Sequence, residues 1–155
     1  MMGFIEALPV AIASCFAIYL SMVDLKEMRI PNRILAIGLL VTVTTMSGAA
    51  LYLGEMNRLL SALGGGLLST VIFFMIHLVR PSGLGMGDVK FAGLIGATLS
   101  WISFPSGLIG LAIAFFISSL FSLTLLITRR PLDRLIPFAP FMSMGLVIVA
   151  LGLFV

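Results

Sequence analysis

Apolar residues run along this chain in long blocks, and polar residues collect between the blocks. A helix needs about 20 consecutive apolar residues to cross the hydrocarbon core of a bilayer. Phe4 to Val23 meets that length, with Glu6 as the single charge near its start. Asp24 to Arg33 reads as a polar loop broken at Pro31, and Ile34 to Leu53 as a second span. Gly54 to Arg58 is a tight connection to a third span, Leu59 to Val79, which contains Gly64-Gly65-Gly66. Small residues there permit close helix contact. No Gly-Lys-Ser/Thr follows them, so they are not a phosphate loop. Arg80 to Gly87 is a glycine-rich loop. The fourth apolar run, Asp88 to Phe104, barely crosses a core about 30 Å thick at about 1.5 Å per residue. Trp101 is expected near its far end as an interfacial anchor. Pro105-Ser106-Gly107 makes a turn. Leu108 to Ile127 is a fifth span, Thr128 to Leu135 a basic loop, and Pro137 to Val155 a sixth span. The pattern predicts an all-α integral membrane protein, with six transmembrane helices in a single domain over residues 1–155.

Composition agrees with the pattern. The chain is 61% hydrophobic and 10% charged, with a mean hydropathy of +1.25, whereas soluble domains carry about 25% charged residues. The first run lacks the basic start of a signal peptide and reads as retained. The net charge of +3 does not mark a nucleic-acid surface, because the basic residues sit in short loops, where they report orientation. Lys26, Arg29 and Arg33 lie in the first loop, Arg80 and Lys90 about the third, and Arg129, Arg130 and Arg134 in the fifth. Arg58 alone lies on the other side. The positive-inside rule then puts loops one, three and five in the cytoplasm and both termini on the extracytoplasmic side. Cys15 is the only cysteine, which excludes a disulfide within the chain and a thiolate metal cluster. With His77 as the only histidine, a dedicated zinc site is not expected, and His77 reads as a helix-packing or interfacial residue. No metal or cofactor is expected.

Two acids stand out against this background. Asp88 follows Gly83-Leu84-Gly85-Met86-Gly87 at the point where apolar sequence resumes. An acid at a bilayer boundary is costly and is therefore a candidate functional residue. Asp24 sits in a similar place at the end of the first run, and the loop count puts both on one membrane face. Two carboxylates brought together cannot both ionise cheaply, so they share a proton and titrate as a pair. One then acts as a general base on water while the other, protonated, polarises a carbonyl. Asp88 would open a helix, where the dipole favours a carboxylate, and Asp24 would close one, where it favours the protonated form. Glycines around Asp88 let the loop backbone approach an extended peptide closely. The bland alternative is that each aspartate is a solvated helix cap.

These residues carry a resemblance. Asp24, followed after five residues by Ile30-Pro31-Asn32, resembles the first aspartate motif of the type IV prepilin peptidases. Gly85-Met86-Gly87-Asp88-Val89-Lys90 resembles their Gly-x-Gly-Asp-x-Lys motif, and Ile136-Pro137-Phe138-Ala139-Pro140-Phe141 resembles their Pro-rich C-terminal stretch. The resemblance implies a multi-pass aspartic endopeptidase of the bacterial cytoplasmic (inner) membrane. Such an enzyme removes the leader of prepilins or pilin-like proteins at the cytoplasmic face. It implies Asp24 and Asp88 as the catalytic pair, with Gly85, Gly87, Lys90, Ile30, Pro31 and Asn32 in support. Because pilin leaders are basic, Glu27 is a candidate substrate contact. The chain is similar to the compact peptidases of tight-adherence (Flp) pili. The cysteine-bearing extension associated with methyltransferase activity in larger members is not seen, so methylation is not expected. A rival reading is a small transporter or a pilus-assembly scaffold with interfacial acids, although no internal repeat of the kind transporters show is evident. A presenilin-like intramembrane protease is a third, which Ile30-Pro31-Asn32 argues against.

Overall fold

The computed structural model describes residues 3–79, 83–128 and 137–154. Among the described residues there are six helices and no strand: α1 (Phe4–Glu27), α2 (Asn32–Leu53), α3 (Met56–Val79), α4 (Met86–Ser100), α5 (Ser106–Ile127) and α6 (Ala139–Phe154). Each apolar block of the sequence corresponds to one of them. Four, namely α1, α2, α3 and α5, are long and apolar enough to cross a membrane. The basic residues Arg80, Arg129, Arg130 and Arg134, and Ile136 of the Pro-rich stretch, lie outside the described residues.

Three differences from the sequence reading bear on the site. First, α1 does not stop where its apolar run stops. It continues through Asp24 to Glu27, because Leu25, Lys26 and Glu27 are good helix formers and nothing breaks the pattern. It ends at Met28, whose φ of 54° is left-handed and whose N–H donates to the Asp24 carbonyl at 2.9 Å. Few non-glycine residues adopt that conformation, and here it turns the chain sharply back toward α2.

Second, α4 is the hub of the bundle. Every residue from Phe91 to Ser100 is buried, and α4 packs against all five other helices. A helix that is apolar all round is a buried helix. Its 15 residues span about 22 Å. Four of its neighbours are longer, at 22 to 24 residues, and α6 is close to its length at 16. Close approach relies on small residues. A Cβ added at Gly66 of α3 would lie 2.9 Å from the Ala97 Cβ and 3.1 Å from the Gly93 carbonyl of α4. One added at Gly107 of α5 would lie 2.8 Å from the Gly96 carbonyl.

Third, Trp101 is not an interfacial anchor. It is fully buried, and its Nε1–H donates to the Glu6 carbonyl of α1 at 3.0 Å. A buried indole needs a partner for its N–H, and the α1 backbone supplies one. Glu6 also pairs with Arg58 at 3.2 Å, and Arg58 with Glu55. The end of the bundle away from the aspartates is thereby tied across α1, α3 and the end of α4.

Candidate active site

Asp24 occupies the last turn of α1 and Asp88 the first turn of α4. Far apart in sequence, they line one cleft of about 220 Å³. Ile30, Asn32, Gly85, Gly87 and Lys90 line the same cleft. The two sequence motifs are stitched together directly. A Cβ at Gly87 would lie 3.0 Å from the Ile30 Cβ, so a side chain there would push Ile30 back from the start of α4. Lys90 Nζ donates to Asn32 Oδ1 at 3.0 Å, which joins α4 to the first residue of α2. Pro31 serves as the residue before α2, where its missing N–H costs nothing. Glu27 is outside the cleft lining. It pairs with Arg29 at 3.3 Å in an exposed position, where charge pairs contribute little.

Each carboxylate has a backbone donor. Gly85 N–H donates to Asp88 Oδ2 at 3.0 Å, which satisfies one free donor at the start of α4. A side chain at Gly85 would crowd that oxygen, since a Cβ there would lie 3.3 Å from it. The glycine loop is braced from α3, where His77 Nδ1–H donates to the Leu84 carbonyl at 2.6 Å. His77 thus has a structural partner, consistent with a packing residue. Asp24 is 5% exposed and accepts the N–H of Ala139, the first residue of α6, at 3.3 Å. This amends the expected asymmetry between the acids. Asp24 closes α1, but it also sits on the N-terminal end of α6, where N–H groups and helix dipole favour negative charge.

The Pro-rich stretch delivers that donor. Phe138 packs against Phe73 of α3 and Phe115 of α5 in a cluster of three mutually touching, tilted rings, with ring centroids 6.1 and 4.9 Å away. Aromatic packing of this kind holds a backbone in place. Pro140 follows in the first turn of α6, where a missing N–H is harmless. Nothing in the spacing of the first motif points to Ala139. The signal was the pair of prolines at 137 and 140, which mark a helix start without saying what it caps.

Chemically, the cleft offers two oxygen acids within one water-accessible recess, a lysine held by Asn32, and a glycine backbone open to a ligand. Such a pair can hold one proton between two carboxylates and activate water. The model of the type IV leader peptidase family matches residues 11–127, a stretch that contains both aspartates. No curated protein and no solved structure matches the chain.

Proposed function

The chain belongs to the type IV leader peptidase family, and we propose that it is a membrane aspartic endopeptidase that removes leader peptides from prepilins or pilin-like proteins, with Asp24 and Asp88 as its catalytic pair. The observation that carries this reading is the shared cleft of the two aspartates. In the proposed cycle one aspartate is ionised and the other protonated. The carboxylate takes a proton from water as the water oxygen bonds to the scissile carbonyl carbon. The protonated partner hydrogen-bonds the carbonyl oxygen as negative charge develops there. Collapse of the tetrahedral intermediate breaks the C–N bond, and the departing amine takes a proton from the pair. Gly85 and Gly87 leave room for an extended peptide backbone. Lys90, tethered by Asn32, stands at the edge of the cleft to hold a substrate group.

The six helices are proposed to cross the bacterial inner membrane six times, with both termini outside and the cleft toward the cytoplasm. Lys26, Arg29, Arg33 and Lys90 gather at the aspartate end, and Arg58 lies at the other, as the positive-inside rule requires. The short α4 is proposed to span with its glycine loop lining the open cleft, a setting in which irregular backbone is tolerated at membrane depth.

Co-expression with prepilins from the same genome tests the reading, with leader removal followed by gel shift. Wild type is expected to cleave at least one prepilin, and Asp24→Asn and Asp88→Asn, expressed to the same level, to cleave none. Continued cleavage by both variants would refute the assignment of the pair.

A further inference from the structure

A serine in a membrane helix ordinarily bonds the carbonyl one turn back in its own helix. Ser14, Ser47 and Ser122 do so here. Ser21 of α1 and Ser143 of α6 do not. Their hydroxyls meet at 2.6 Å, and Ser143 Oγ donates to the Ala17 carbonyl of α1 at 3.0 Å. The proton order follows from valence. The Ala17 carbonyl can only accept, so the single hydroxyl proton of Ser143 goes to Ala17, and Ser21 donates to Ser143. Both serines are buried, each 6% exposed.

One turn along, the same two helices make the contact described above, with Ala139 N–H on Asp24 Oδ2. Residues 139 and 143 lie on one face of α6, and 17, 21 and 24 on one face of α1. Elsewhere α6 rests on α5 through a smooth seam, Gly145 against Gly110. That seam sets distance, and the Phe138 rings hold the residue before α6, while the serine ladder adds directional hydrogen bonds between α6 and α1.

We infer that Ser21 and Ser143 are positioning residues for the Asp24 carboxylate: they fix the register of α6 on α1 and so hold the Ala139 N–H against Asp24. Their effect on turnover rests on the proposed role of Asp24, whereas their effect on the Asp24 carboxylate does not. The ionisable groups that line the cleft with Asp24 are Arg29, from the turn after α1, and Asp88 and Lys90, from α4. α2 presents Asn32 there, and α6 carries no ionisable residue.

The test is carbon-13 NMR of the full chain in detergent micelles, labelled at aspartate side-chain carboxyls, in an Asp88→Asn background. Asp24 and Asp133 are then the remaining aspartates, and Asp24→Asn assigns the Asp24 signal. Ser143→Ala and Ser21→Ala are each expected to move the Asp24 titration to higher pH, with a three-fold or larger change in its proton affinity, because the carboxylate loses its donor. Ser143→Thr keeps the hydroxyl and is expected to stay with the parent, as is Ser47→Ala on α2. Should Ser143→Ala fail to fold, Ser21→Ala decides alone. An unmoved Asp24 titration in the alanine variants overturns the inference, and so does an equal shift in Ser47→Ala. With Asp88 restored and a cleaved prepilin in hand, kcat is expected to fall about 3- to 20-fold with KM little changed, the range that lost interhelical hydrogen bonds give in membranes. Absence of any cleavage by wild type would count against the peptidase reading and leave the titration result standing.

Discussion

At the scale of single residues, the site is held by contacts that look minor one at a time. Ile30 lies close against Gly87, and Lys90 reaches Asn32. Those two contacts tie the residues that follow Asp24 to the residues around Asp88. Trp101 performs a similar service at the other end of the bundle. Replacing it with Phe removes the N–H that reaches the Glu6 carbonyl and part of a fully buried ring system. The expected cost is about 1–3 kcal/mol, read as a lower melting temperature by circular dichroism in one detergent. Leader cleavage well below that temperature is expected to stay within about two-fold of wild type, since an interaction far from the reacting atoms is not made only in the transition state. A loss of cleavage without a loss of stability would show that Trp101 acts on the site. Asp24, Asp88 and their flanking motif residues were legible in the sequence, because acids and glycines are rare signals in apolar sequence. The partners Ala139, Ser21 and Ser143 were not. A backbone N–H carries no side-chain signature, and a serine in an apolar helix looks the same whether it bonds its own helix or its neighbour.

At the scale of elements, α4 decides the architecture. It is short, wholly buried and packed through glycines on α3 and α5. The sequence showed its shortness, and its placement at the hub came only from packing. The end of α1 was misplaced for a related reason: an apolar run ends where the lipid ends, whereas a helix ends where the backbone turns, here at Met28. The glycines of α4 separate a packing role from a flexible one. A Cβ at Gly96 would lie 2.6 Å from the Ser69 Cβ and 3.0 Å from the Gly65 carbonyl, whereas one at Gly48 on α2 meets nothing within 4 Å. Gly96→Ala is therefore expected to destabilise by about 1–3 kcal/mol, as overpacking does. Gly48→Ala is expected to be neutral or to stabilise by up to about 1 kcal/mol through helix propensity. Unfolding in mixed micelles compares the two. Equal effects would mean that the α3–α4 seam is looser than its glycines imply.

For the whole molecule, polarity and placement agree. The aspartates, their supporting residues and the basic side chains Lys26, Arg29, Arg33 and Lys90 share one end, while Arg58, Glu6 and Trp101 tie the other. Reporter fusions after the last helix are expected to be active outside the cell if the six-span orientation holds, and fusions in the loop before α2 to be active inside. The reverse pattern would place the cleft on the wrong face for a cytoplasmic leader. The two carboxylates line one cleft at the start of the short hub helix within an apolar bundle. The most direct check on that pair is the turnover of a prepilin by purified wild type, Asp24→Asn, Asp88→Asn and the double variant, all at saturating substrate. Residues that act as one unit are grossly non-additive, so the double variant is expected to be no slower than either single one, each down by about 10⁴-fold or more. Losses that multiply in the double variant, or substantial turnover in either single one, would contradict a shared catalytic site.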